Sequence, residues 1–129
     1  MKPDSQLNTM TYAFALRVVK AYKYLTNEQK EFVLSKQLLR SGTSIGANCR
    51  EAIYAQSDED FIHKLSIALK EASETAYWLD LLYDTEYIDE QAHISIKKDC
   101  TTLIKMLTAI IVKKKQAIAA KNIDHNIKI

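Results

Sequence analysis

Arg40-Ser41-Gly42-Thr43-Ser44-Ile45-Gly46-Ala47-Asn48-Cys49-Arg50-Glu51-Ala52 contains both of the chain's glycines and three hydroxyl side chains, all between Ser41 and Gly46. Each Gly costs about 1 kcal/mol relative to Ala in a helix interior. Small residues at mid-helix also let a second helix approach closely, and that packing offsets the weak propensity. The run is therefore read as the interior of one long helix, from Glu28 to Tyr54. Composition agrees, because two Gly and one Pro in 129 residues leave little material for the tight turns of an all-β fold. With 47% hydrophobic and 26% charged residues, the chain has the makeup of a folded helical domain.

Upstream, Thr26-Asn27-Glu28-Gln29 offers a capping box, Thr at the N-cap and Gln three residues on, as the start of helix two. Before it, Phe14, Val18, Ala21, Tyr22 and Leu25 recur at spacings of three and four, which predicts helix one over Thr9 to Leu25. Downstream, Ser57-Asp58-Glu59-Asp60 places a capping serine and three carboxylates at the positive end of a helix dipole, predicting helix three over 58–84. Its stripe is Phe61, Leu65, Ala68, Ala72, Leu79 and Leu82. A capping Asp89 opens helix four, carried by Ile96, Cys100, Leu103, Leu107, Ile110 and Ile111 over 89–120, with residues 121–129 expected to fray. Four helices joined by short links must run as antiparallel neighbours. The expectation is an all-α, up-down-up-down four-helix bundle forming one domain across 1–129.

The small formal charge of +2 hides a strong asymmetry. Met1 to Gln56 carries 8 basic and 4 acidic residues, Ser57 to Glu90 carries 2 and 10, and Gln91 to Ile129 carries 8 and 2. Helix three is thus acidic, whereas helix four and its tail are basic, with Lys97-Lys98, Lys105, Lys113-Lys114-Lys115, Lys121 and Lys128. Lysines near a helix C-terminus suit the dipole, and a basic stripe is equally the footprint of a phosphate binder. In an oligomer the acidic helix would also match a basic surface on a neighbour. No apolar run approaches the roughly 20 residues of a spanning helix, and Met1-Lys2-Pro3-Asp4-Ser5-Gln6 has no apolar centre, so no membrane role is expected and the cytoplasm is the expected compartment. Cys49 and Cys100, far apart and outside any Cys-x-x-Cys pair, read as small apolar fillers; Arg50 beside Cys49 hints only weakly at a reactive thiol.

Catalytic and metal motifs are weak. Glu90-Gln91-Ala92-His93 fits the Glu-x-x-His pattern of di-metal bundles, but its nearest counterpart, Asp60-Phe61-Ile62-His63, also begins a helix and so belongs at the opposite end of an antiparallel bundle. Neither a phosphate-binding Gly-rich loop nor a nucleophile elbow is present. No catalytic residue, metal or cofactor is expected. One polar line stands out: Arg40, Ser44, Asn48 and Glu51 share a face of helix two, as Lys70 and Glu74 share a face of helix three. Antiparallel packing would let Arg40 meet Glu74 and Lys70 meet Glu51, a buried ion-pair network that sets register.

That same run, followed by Phe61-Ile62-His63-Lys64-Leu65-Ser66-Ile67-Ala68-Leu69-Lys70-Glu71-Ala72-Ser73-Glu74-Thr75, resembles the four helix bundle protein family, also called 23S rRNA intervening-sequence proteins. The likeness extends from about Phe14 to Leu107; where many members carry a glycine after the glutamate, this chain has Ala52. The resemblance implies a cytoplasmic bacterial protein, a left-handed up-down bundle and assembly into a ring, as a homopentamer. The combined expectation is a non-enzymatic, ring-forming bundle that binds nucleic acid, RNA ahead of DNA. Its contacts would be Lys97, Lys98, Lys113, Lys114 and Lys115 of helix four with Arg17, Lys20 and Lys23 of helix one, summing weak phosphate contacts. Tyr12, Tyr22, Tyr24 and Tyr54 would stack on bases if exposed. The alternative is an assembly module that recruits another protein, its lysines only solvating the surface.

Overall fold

The computed structural model describes residues 5–127, with side chains from Gln6 to Asp124. Four helices follow in order, α1 (Ser5–Asn27), α2 (Leu34–Ala52), α3 (Asp58–Asp84) and α4 (Glu90–Ile127), and the described residues include no strand. Side-chain pairs fix their directions. Arg40 meets Glu71 and Glu74 while Glu51 meets Lys64, so α2 and α3 run oppositely. Asp80 meets Lys97 while Asp58 meets Lys114, which opposes α3 and α4 in the same way. Each helix packs chiefly on its neighbour in sequence; the α1–α4 contact is the sparsest.

The glycines behave as their spacing suggests. A Cβ at Gly42 would stand 2.7 Å from one γ-carbon of the fully buried Val18, so α1 and α2 approach more closely here than any side chain allows. On the adjoining face of α2, turned toward α3, the buried hydroxyls of Ser41 and Thr75 are hydrogen-bonded at 2.9 Å, locking α2 to α3. The predicted stripes form one core, from Phe14 and Val18 through Leu65 and Leu79 to Leu103 and Leu107. Leu7 and Thr11 extend that core, because α1 begins before the predicted Thr9.

Several predicted boundaries shift. Helix two begins at Leu34 rather than Glu28, and the Thr26 capping box is not made. The Thr26 hydroxyl donates instead to the carbonyl of Tyr22 (2.9 Å) within α1, which runs on to Asn27. The chain then turns through Lys30 at φ 53°, and the Glu31 carboxylate accepts the backbone N–H groups of Val33, Leu34 and Ser35. It thereby fills three of the orphan donors at the start of α2. Helix two ends at Ala52, two residues before the predicted Tyr54. Helix four continues to Ile127, past the predicted 120, with no Gly or Pro to stop it; Lys128 and Ile129, the rest of the tail expected to fray, lie outside the described residues.

Candidate nucleic-acid interface

The acidic and basic halves of the bundle are not equally free. Of the ten carboxylates between Ser57 and Glu90, seven are committed within the molecule. Asp58 pairs with Lys114 (2.9 Å), and Glu71 and Glu74 hold Arg40. Asp80 takes both Lys97 (2.6 Å) and His93 Nε2 (2.8 Å). Asp60 and Asp89 accept backbone N–H groups, of Gln56 and Ala92, and Glu90 accepts the Tyr83 hydroxyl. The Lys97 bond is the main reason that Asp80 holds its carboxyl below the usual range, with His93 adding to it against partial burial. The Lys114 bond depresses Asp58 in the same sense, and the nearby Lys121 contributes.

On the other side, α1 contains no Asp or Glu, and α4 contains none from Thr101 to Ile123. The eight expected contacts divide accordingly. Arg17 is spent on Asp99 Oδ2 (2.7 Å) and on Ser95, the junction that ties α1 to α4. Lys97 is spent on Asp80, and Lys114 lies on Asp58 with its Nζ 5.7 Å above the Phe61 ring. Lys20, Lys23, Lys98, Lys113 and Lys115 are exposed and make no ion pair with a described residue. Lys105 and Lys121 are exposed as well. They were legible as part of the charge of helix four, but their isolation from any lysine cluster kept them out of the expected set. Because Arg17 sits level with Ser95 and Asp99, Lys20 and Lys23 of α1 and Lys98 of α4 lie toward the same end of the bundle.

The polar line on α2 differs from its expected form. Arg40 does reach Glu74 and also Glu71, but its side chain is half exposed, so the pair is a surface one. Ser44 and Asn48 turn back on their own helix, donating to the carbonyls of Arg40 (2.6 Å) and Ser44 (2.8 Å). Glu51 pairs with Lys64 (2.8 Å) rather than Lys70, which is exposed and makes no ion pair with a described residue. More than one and a half helical turns separate the two lysines, and Lys64 is the one level with Glu51 once Arg40 has fixed the register.

Neither thiol is set for reaction. Cys49 and Cys100 are fully buried, and burial pushes them up to about 12 and about 11. Arg50, exposed beside Cys49, does not offset that burial. His93 stacks on Tyr83 and bonds Asp80, far along α3 from His63, and no group of three metal-ligating side chains occurs among the described residues. Tyr12, Tyr24 and Tyr54 are exposed, Tyr54 to 79%, whereas Tyr22 is half-buried. No described helix is long and apolar enough to cross a membrane.

No protein of curated function matches the chain. Among solved structures, a protein of unknown function from the S23 ribosomal protein family of Bacteroides thetaiotaomicron is 60% identical. It superposes with a TM-score of 0.81, covering 81% of this chain and 97% of that one. Residues 4–109 match the 23S rRNA-intervening sequence protein family. That span takes in α1, α2, α3 and the bundle-forming half of α4, and the chain belongs to the 23S rRNA-intervening sequence protein family.

Proposed function

We propose that the protein is a non-enzymatic cytoplasmic bundle that binds RNA through its α1/α4 face. The carrying observation is the inequality of commitment: the acids of α3 are mostly spent on internal partners, whereas Lys20, Lys23, Lys98, Lys105, Lys113 and Lys115 have no such partner among the described residues. A surface of that kind attracts a polyanion through release of its condensed counterions. Tyr24, exposed on α1 beside Arg17 and Lys20, supplies a stacking surface for an unpaired base. Assembly multiplies the effect. The ring that the family resemblance implies, a homopentamer, would present the face five times, so weak contacts become useful avidity.

A second reading, an adaptor for another protein, has its own observation. Phe32 and Val33, adjacent in the α1–α2 link, are 60% and 71% exposed, an apolar pair unusual at a solvated turn. One experiment separates the two. Fluorescence anisotropy with single-stranded RNA, hairpin RNA and duplex DNA, at low and near-physiological salt, is run on protein whose mass is measured by light scattering. The expected mass is about five times the 14.7 kDa chain. Micromolar or tighter RNA binding that weakens steeply with salt supports the proposal. An intact ring that binds no nucleic acid overturns it and favours the adaptor.

A further inference from the structure

The match to the family stops at residue 109, yet α4 runs on to Ile127. Lys114, paired with Asp58 at the first residue of α3, marks the last level at which α4 has a neighbouring helix beside it. At 1.5 Å per residue, the segment beyond it is about 20 Å long, and apart from the half-buried Ile118 its described side chains are exposed. Lys113 lies just before this level and Lys115 and Lys121 beyond it, all exposed and none ion-paired with a described residue, and the first acidic residue is Asp124.

We infer that α4 from Lys113 onward is a basic arm added to the family bundle, and that it makes the principal contact with the phosphodiester backbone of a nucleic acid. This rests on the nucleic-acid reading above and locates it. Two observations favour a polyphosphate over other anionic partners. The α3 acids of a second copy are a poor match, because five of the seven on that helix are already engaged at home. An anionic bilayer needs a continuous, bulky apolar face, whereas the exposed Val112 and Ile123 are separated along their face by the polar Gln116 and only a small Ala119.

The test uses the full chain and two triple variants, Lys113→Gln/Lys115→Gln/Lys121→Gln in the arm and Lys20→Gln/Lys23→Gln/Lys98→Gln on the bundle. A 20-nucleotide single-stranded RNA and a 20-base-pair DNA duplex distinguish the source of the phosphates, and phosphatidylglycerol vesicles serve as the third probe. The arm triple is expected to lose tenfold or more in affinity, and its salt slope to fall by about 2 on single strands and about 3 on duplex. The bundle triple is expected to change less. Replacing the same three arm lysines by arginine should preserve binding, which separates charge from fold. If the parent binds and the arm triple binds equally well, the arm is wrong and the nucleic-acid reading stands. If the parent binds neither nucleic acid, or binds only vesicles, both fail.

Discussion

Glu31 shows how much one side chain outside the helices can decide. It is 8% exposed, and burial alone would raise its pKa. The N–H groups of Leu34, Ser35 and Val33 outweigh that, and hold the carboxyl below its ordinary 4.5. A depressed carboxylate contributes stability that is present above its unfolded value and lost as pH falls through the folded one. Glu31→Gln keeps an acceptor but removes the charge, so it should destabilise by about 1–2 kcal/mol at pH 7. Urea titrations of parent and variant should give midpoints that converge between pH 6 and pH 3. A constant separation across that range would show that the charge contributes nothing. The same residue explains why the start of α2 was not legible in the sequence. Thr26-Asn27-Glu28-Gln29 carries the usual capping pattern, but a threonine hydroxyl bonds equally well to its own helix carbonyl, as Thr26 does to Tyr22. A glutamate three residues before a helix is not in the ordinary capping vocabulary, and the left-handed Lys30 that aims it has no residue-type signal.

At the scale of the element, α2 carries two glycines with opposite meanings. The added Cβ at Gly42 meets both γ-carbons of Val18, at 2.7 and 2.8 Å, and a buried β-branched residue has no free rotamer into which to retreat. Gly42→Ala is therefore expected to destabilise by up to about 2 kcal/mol, overpacking of about 1–3 kcal/mol set against a propensity gain of about 1. At Gly46 the same carbon would stand 3.4 Å from Thr11, an ordinary contact, so Gly46→Ala should be neutral or stabilise by up to about 1 kcal/mol. Thermal melts moving in opposite directions check the pair; a loss at both positions would place the tight contact at Gly46 as well. The sequence already indicated that small residues here serve a close approach, and the stripes of all four helices were legible because their periodicity is unbroken. What periodicity does not carry is which glycine is indispensable, or which of Lys64 and Lys70 lies level with Glu51. Both depend on register between helices far apart in the chain. The far end of α4 escaped for another reason: residues 121–124 are all exposed, so no stripe announces them, and only the lack of a breaker allows the helix to continue.

Over the whole molecule, the ion pairs and the free lysines should answer salt differently. The pairs are short-range and partly exposed: the side chains of Arg17 and Asp99 are 39% and 49% accessible, and those of Lys97 and Asp80 30% and 48%. Such pairs contribute between about 0 and 1 kcal/mol each. Raising salt from 50 to 200 mM should therefore move the melting temperature by no more than a few degrees. The free cations of α1 and α4 oppose one another across the surface, so screening relieves them while it weakens the pairs, and the two effects partly cancel in the fold. In binding they do not cancel. About five lysines neutralising phosphates of a single strand give a slope near −3.5, hence an affinity loss of about a hundredfold over the same fourfold change in salt. Melts followed by circular dichroism and anisotropy titrations on one preparation measure both. A large salt effect on melting with little on RNA affinity would mean that the lysines stabilise the assembly itself. The inequality between spent acids and unspent lysines would then be a property of subunit packing, and the RNA reading of the α1/α4 face would fail.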